Sequence, residues 1–270
     1  MNNLIATYAS LFLYLTCTVL TILKLRQHTL TTTIPKNLIL LIGLLGALAQ
    51  CYTLYSGILD SGSEINLGFY NSLSLISAFI TLFALFTTMR YATESLLVVI
   101  LPIAMLTILL DYNFSSNHLL PPGSSDALYF HVITSLVAYS ILAMAALLAI
   151  MLSIVNRYLH NHQPGGFINK LPPIKTIECL LFEALTVGFI CLTISLLSGM
   201  LFVDNIFTQQ LAHKTILSII AWFVFLILLM GRWFLGWRGR VAIRWTLVGY
   251  ISLMLAYFGS KFVIEIILSQ

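Results

Sequence analysis

ALYFHVITSLVAYSILAMAALLAIMLSIV, residues 127–155, contains no Asp, Glu, Lys or Arg. A helix crosses the hydrocarbon core of a bilayer with about 20 apolar residues. This run exceeds a perpendicular crossing, so it is expected to tilt or to emerge as extra turns. Seven more apolar runs lie on either side of it: Asn3–Leu23, Asn37–Ile58, Phe69–Met89, Glu94–Leu110, Thr176–Phe202, His213–Phe234 and Val241–Leu268. The reading is an all-α polytopic membrane protein. Eight transmembrane helices form a single integral membrane domain over residues 1–270.

Composition points the same way. Hydrophobic residues make up 60% of the 270 and charged residues 8%, against roughly 25% charged in a soluble domain. So few ionised side chains cannot cover a water-facing surface. A soluble domain of any size, a nucleic-acid surface and a Rossmann-type nucleotide site are excluded.

Orientation follows from the basic residues, which favour the cytoplasmic side of membrane proteins. With the end of the first run placed inside, Lys24, Arg26, Lys36, Arg90, Arg157, Lys170, Lys175, Arg232, Arg238, Arg240 and Arg244 fall inside, and only Lys214 and Lys261 fall outside. Both termini are therefore expected on the outer, periplasmic side. The first run has its positive charges after the apolar stretch, the reverse of a secretory signal, so it reads as a retained helix.

Cys17, Cys51, Cys179 and Cys191 lie in separate apolar runs. Without a Cys-x-x-Cys pair, dithiol exchange and covalent haem attachment are not expected. Scattered cysteines read as small buried hydrophobes. Gly43 and Gly46 read as small residues that let helices approach closely.

Of the six histidines, His28, His160 and His162 lie in basic connections and His118 in an outer loop. His131 and His213 differ, each falling in the first turns of a helix that starts at the outer surface. Two imidazoles at one depth can hold a metal or haem iron axially, or can each bond a backbone carbonyl or water. Glu183 lies about 10 Å inside the sixth helix beyond Thr176. A carboxylate at that depth is expected to be protonated or paired, with Arg232 its partner by depth, either as a helix clamp or as part of a ligand site. The basic, aromatic stretch from Arg232 to Trp245 lies between two spans. There Trp sits at the headgroup level and Arg meets anionic lipid, so it is read as membrane anchoring.

The second half is similar to a known family. His131-Val132, Ser135 and Ala138-Tyr139, then His213-Lys214-Thr215 and Ala221-Trp222, then Gly236-Trp237-Arg238-Gly239-Arg240 and Ala256-Tyr257-Phe258-Gly259 occur in the order and spacing of the cytochrome c assembly family. Leu171-Pro172-Pro173, Glu178 and Leu197-Ser198-Gly199 bring the resemblance closest to the inner-membrane YpjD and HemX-like branch. It covers Phe130–Leu268, and the spans before it match in number and hydrophobicity alone. Two departures stand out. The loop 204–212 lacks the tryptophan-rich segment of haem-delivering members, and Met230 or Gly231 replaces the family's intramembrane histidine. His131 is a plain match to the family's first outer histidine, whereas His213 falls where the tryptophan-rich motif ends and is not a family ligand.

The resemblance implies a non-enzymatic, haem-handling accessory of cytochrome c assembly in the bacterial inner membrane. Together with two imidazoles at one depth, this gives the leading reading, in which haem b is bound near the periplasmic face through His131 and His213, with Lys214 meeting a propionate. Its partners would be the lipid bilayer, haem and other cytochrome-assembly or inner-membrane proteins, with no nucleic acid among them. The other reading is a ligand-free structural or regulatory subunit that keeps the fold and acts by binding another membrane protein. A small-solute transporter would need broken helices and midplane charges. Glu183 is the single strong intramembrane acid and no inverted repeat is visible.

Overall fold

The computed structural model describes residues 2–26, 34–59, 68–114, 126–160, 171–202 and 209–259. Side chains are described at these positions other than 2, 57–59, 160, 202, 209–213 and 258–259. The described chain is helical in α1 (Asn2–Arg26), α2 (Lys36–Leu59), α3 (Phe69–Arg90), α4 (Glu94–Asn113), α5 (Asp126–His160), α6 (Ile174–Phe202), α7 (Gln209–Leu235) and α8 (Arg240–Met254). A π-helical turn, Leu255–Gly259, follows α8.

Seven of these helices, α1 to α7, are long and apolar enough to cross a bilayer. The run read as Val241–Leu268 is helical as far as Gly259, and its remainder lies outside the described residues. The apolar runs fix the helix ends well because a bilayer leaves the backbone no hydrogen-bonding partner but itself. The main difference is α5, which continues past Val155 to His160. Polar residues such as Asn156 and Arg157 end an apolar run without breaking a helix.

The helices are turned so that apolar side chains face outward. On α1, Ile5, Tyr8, Phe12, Leu15, Val19 and Leu23 form an exposed stripe. Thr7, Ser10, Tyr14, Cys17, Thr18 and Thr21 of the same helix are buried. A soluble helix does the opposite. In lipid, which is as apolar as leucine, packing and hydrogen bonds hold helices together.

The helices gather into two compact units, α1–α4 and α5–α8 with the π turn, where the sequence suggested one domain. Hydrophobic periodicity marks spans and carries no signal of how they group. Within each unit every helix packs on the next and the last closes on the first: α1–α2–α3–α4–α1, and α5–α6–α7–α8–α5.

In the first unit the ring is tied through its centre. Tyr14 donates its hydroxyl to Gln50 Oε1 at 2.7 Å. The Gln50 amide donates to the Ser74 carbonyl at 3.1 Å and to Ser77 Oγ at 3.0 Å. Ser77 Oγ meets Thr107 Oγ1 at 2.7 Å. One chain of side chains thus spans α1, α2, α3 and α4. Lys24 and Glu94 form an ion pair at 2.6 Å. Gly46 lets α2 lie against the Tyr14 ring, where a Cβ would fall 2.7 Å from Cδ1.

The second unit buries fewer polar side chains among its described residues. Ala138, Ala143, Ala145, Ala146 and Ala149 of α5 are buried, as are Ala184 and Leu185 of α6. A Cβ on Gly188 would fall 2.7 Å from Leu142. Gly249 of α8 lies against the Phe225 ring of α7 with the same clearance. Trp222 Nε1 donates to Thr193 Oγ1 at 2.8 Å, linking α7 to α6.

Candidate functional site

His131 sits in the second turn of α5, about 7 Å from the helix start at 1.5 Å per residue. Its Nδ1 lies 2.8 Å from the carbonyl oxygen of Ser195 and 3.1 Å from Ser198 Oγ, both on α6. A carbonyl oxygen only accepts, so Nδ1 carries the proton. Ser198 uses its own hydroxyl proton on the Ser195 carbonyl at 2.9 Å, so its oxygen is available to accept from the imidazole. Among the described residues the Nε2 lone pair of the neutral ring is therefore unengaged. The ring lies flat on α6 because residue 199 is glycine. A Cβ there would fall 2.8 Å from Cε1 and 3.2 Å from Nδ1. Ser198-Gly199 forms a seat that fixes both the tautomer and the plane of His131.

Lys214, in the first turns of α7, is close enough to His131 for its charge to act there. Its Nζ lies 5.0 Å over the Tyr257 ring. Tyr257 meets Tyr139 of α5 at 5.1 Å between centroids. The Tyr139 hydroxyl is buried beside Ser218 and closes no hydrogen bond among the described residues. His131, Lys214, Tyr257, Tyr139 and Ser218 thus form a chain of neighbouring polar and aromatic side chains from α5, α7 and the π turn, with α6 backing the histidine.

The sequence placed His131 and Lys214 together, and the structure brings them together. His213 is helical in α7, and its side chain falls outside those described. His28, His118 and His162 lie outside the described residues altogether. The pairing of Glu183 with Arg232 is not formed. The Arg232 guanidinium lies 4.5 Å over the Phe182 ring and donates to the Trp237 carbonyl at 3.4 Å. Glu183, one residue and about 100° further round α6, is exposed. Among the described residues the single ion pair is Lys24–Glu94. Depth alone suggested the pair, but the rotation of Glu183 about α6 carries it away from Arg232. The carboxylate that reaches the end of α7 is Glu178, whose Oε1 accepts the Gly239 N–H at 2.9 Å. Its signal was present in the sequence, as an acid one helical turn into α6 beside the glycine-rich turn.

The family described as cytochrome C assembly protein matches residues 38–268. This chain belongs to the cytochrome c assembly protein family. The match begins in α2, well before the Phe130–Leu268 segment whose motifs carry the resemblance in sequence. Inner membrane protein YpjD of Escherichia coli K12 is 31% identical over 208 residues, covering 77% of this chain and 79% of that protein. The cytochrome c biogenesis protein CcsA of Prochlorococcus marinus (strain CCMP1986) is 27% identical over 225 residues, covering 72% and 70%. An uncharacterised 28.8 kDa protein of Azospirillum brasilense is 32% identical over 140 residues, covering 51% and 52%. With seven helices fit to span a bilayer, this family member is a multi-pass protein of the bacterial inner membrane. The seat of His131 coincides with two of the stretches shared with the family, His131-Val132 and Leu197-Ser198-Gly199.

Proposed function

We propose that this protein is a haem-handling, HemX-like accessory of cytochrome c assembly that binds haem b non-covalently near the periplasmic face and catalyses no reaction. His131 on α5 and His213 on α7 would hold the haem iron, and Lys214 would meet a propionate. One observation carries the reading: the Nδ1–H of His131 is given to a backbone carbonyl while Nε2 is left free. Metal-bound histidines are oriented by this kind of bond from the second ring nitrogen.

The donor set supports haem over a bare ion. No three His, Cys, Asp or Glu side chains gather among the described residues, and a bare ion needs about four protein ligands. A haem brings four nitrogens of its own and asks the protein only for axial ligands. The unbonded Tyr139 hydroxyl and the Lys214 ammonium supply the polar groups a propionate needs. His131, Ser195, Ser198 and Gly199 bind and orient the iron side; Lys214 and Tyr139 hold the carboxylate side.

The topology proposed with it is eight spans with both termini outside. A reporter that works only in the cytoplasm, fused after Gln270, stays silent under this arrangement, and activity there overturns it. For haem, the purified full chain is expected to show a Soret band with sharp reduced peaks. His131→Ala is expected to abolish it while the protein still accumulates in the membrane. A wild-type chain with no such band, reconstituted with haem, would leave the ligand-free subunit as the better account.

A further inference from the structure

The turn between α7 and α8 is held more tightly than a link between two membrane helices requires. Gly239 N–H donates to Glu178 Oε1, and Arg232 donates to the Trp237 carbonyl. Trp237 N–H returns to the Gly231 carbonyl at 3.1 Å. The Trp237 ring covers Gly231 so closely that a Cβ there would fall 2.4 Å from it, and its centroid lies 5.7 Å from that of Trp245. Gly239 has φ 59° and ψ −125°. These are the angles of the first central residue of a type II′ turn, a position held by glycine.

These ties fix what the turn displays. Arg238, Arg240 and Arg244 are exposed, as is Lys175 on α6. Arg240 and Arg244 lie one helical turn apart and share a face of α8. None of the four cations has an ion pair among the described residues. The nearby Glu178 carboxylate is engaged by the Gly239 N–H. Beside the arginines, the last turn of α7 exposes Trp233, Phe234 and Leu235 at 66%, 77% and 70%.

We infer that this turn is a built binding site for the phosphate headgroup of an anionic phospholipid. Planar guanidinium forks pair with two phosphate oxygens at once. The Trp233-Phe234-Leu235 edge takes the apolar part of the same molecule. A soluble phosphate has no use for that edge. Attraction of a membrane surface to a run of arginines depends on their number, whereas a site depends on where the turn holds them.

The test uses the full chain in a non-ionic detergent, titrated with dioleoyl-phosphatidylglycerol or dioleoyl-phosphatidylcholine and read by native mass spectrometry. Saturable retention of phosphatidylglycerol, weakened about tenfold for phosphatidylcholine, is expected because the choline cation cancels the net charge of the same phosphate and opposes the arginines. Gly239→Ala keeps every cation but strains the turn, and it is expected to weaken phosphatidylglycerol retention to a similar extent. Arg244→Lys keeps the charge and loses the fork, so it reports on the site even if the glycine variant fails to fold. Both variants binding like wild type would reduce the turn to an undirected charged surface and overturn the proposal. Equal retention of the two lipids would overturn it in favour of unselective apolar contact along the Trp233-Phe234-Leu235 edge. Displacement by equimolar inorganic phosphate would overturn it in favour of the free anion.

Discussion

Among its described residues the ring of α1–α4 buries fourteen Ser, Thr and Gln side chains, and the ring of α5–α8 buries five. The two rings close in the same cyclic order, so the difference lies in what fills them. The first is tied across its middle by Tyr14, Gln50, Ser77 and Thr107. Glycines admit a neighbour's side chain in both rings, as Gly46 admits Tyr14 and Gly249 admits Phe225, but the second ring adds the buried alanines of α5 and has no such central polar chain among its described residues. Hydrogen bonding and close packing are both open to helices in lipid. Most polar groups of the first ring are engaged within it, although Thr81 Oγ1 and Ser95 Oγ close no hydrogen bond among the described residues. Among the described residues, the second ring leaves the Nε2 of His131, the ammonium of Lys214 and the hydroxyl of Tyr139 without a hydrogen bond.

The contrast predicts its own failures. The largest expected effect is on ligand binding: Gly199→Ala puts a methyl 2.8 Å from His131 Cε1 and displaces the ring from its seat. Haem absorbance of the purified variant is then expected to fall about tenfold or more, as for removal of a partner that orients a metal ligand, while Gln50→Leu leaves it unchanged. Equal loss in both variants would mean that the two rings share one role.

Next is Gly249→Val. The Phe225 ring is fully buried and stands 2.7 Å from the added Cβ, so the variant is expected to lose about 3 kcal/mol through overpacking. Thermal unfolding in detergent measures this, and a near-native midpoint would refute close packing as the closure of the second ring.

Gln50→Ala leaves Tyr14 and Ser77 without their partner. Interhelical hydrogen bonds in membranes average about 0.6 kcal/mol each, so a loss of roughly 2 kcal/mol is expected from the four bonds removed. The smallest effect belongs to Lys24 and Glu94, whose side chains are 26% and 14% exposed. Partial solvation screens this pair to about 0.5–1 kcal/mol, and a double-mutant cycle of Lys24→Met with Glu94→Gln reads the coupling alone.

The helices were legible because the bilayer imposes one rule on all of them: about 20 apolar residues and internally satisfied backbone. The closure of the first ring was not. Gln50 and Ser77 lie in apolar runs, and no linear pattern tells that two polar residues 27 positions apart meet. His131 and Lys214 were legible by depth, since both follow a helix start. Ser198-Gly199 was visible as a stretch shared with the family, but its task as the seat of His131 needed the rotation of α6 against α5. The Glu183–Arg232 expectation failed for the same reason. Depth along a helix can be counted, whereas rotation about it is set by packing.

The π turn at Leu255–Gly259 carries a consequence of a different kind. A π turn arises when one extra residue is accommodated in an α-helix without being expelled from it. Tyr257 reaches Lys214 and Tyr139 from within that widened turn. The direction of its ring is therefore encoded by chain length as well as by residue identity. Deleting Leu255 or Ala256 would let the helix regularise and swing Tyr257 by about 100°. Such a deletion removes no functional group, yet it would separate an aromatic from its cation by register alone.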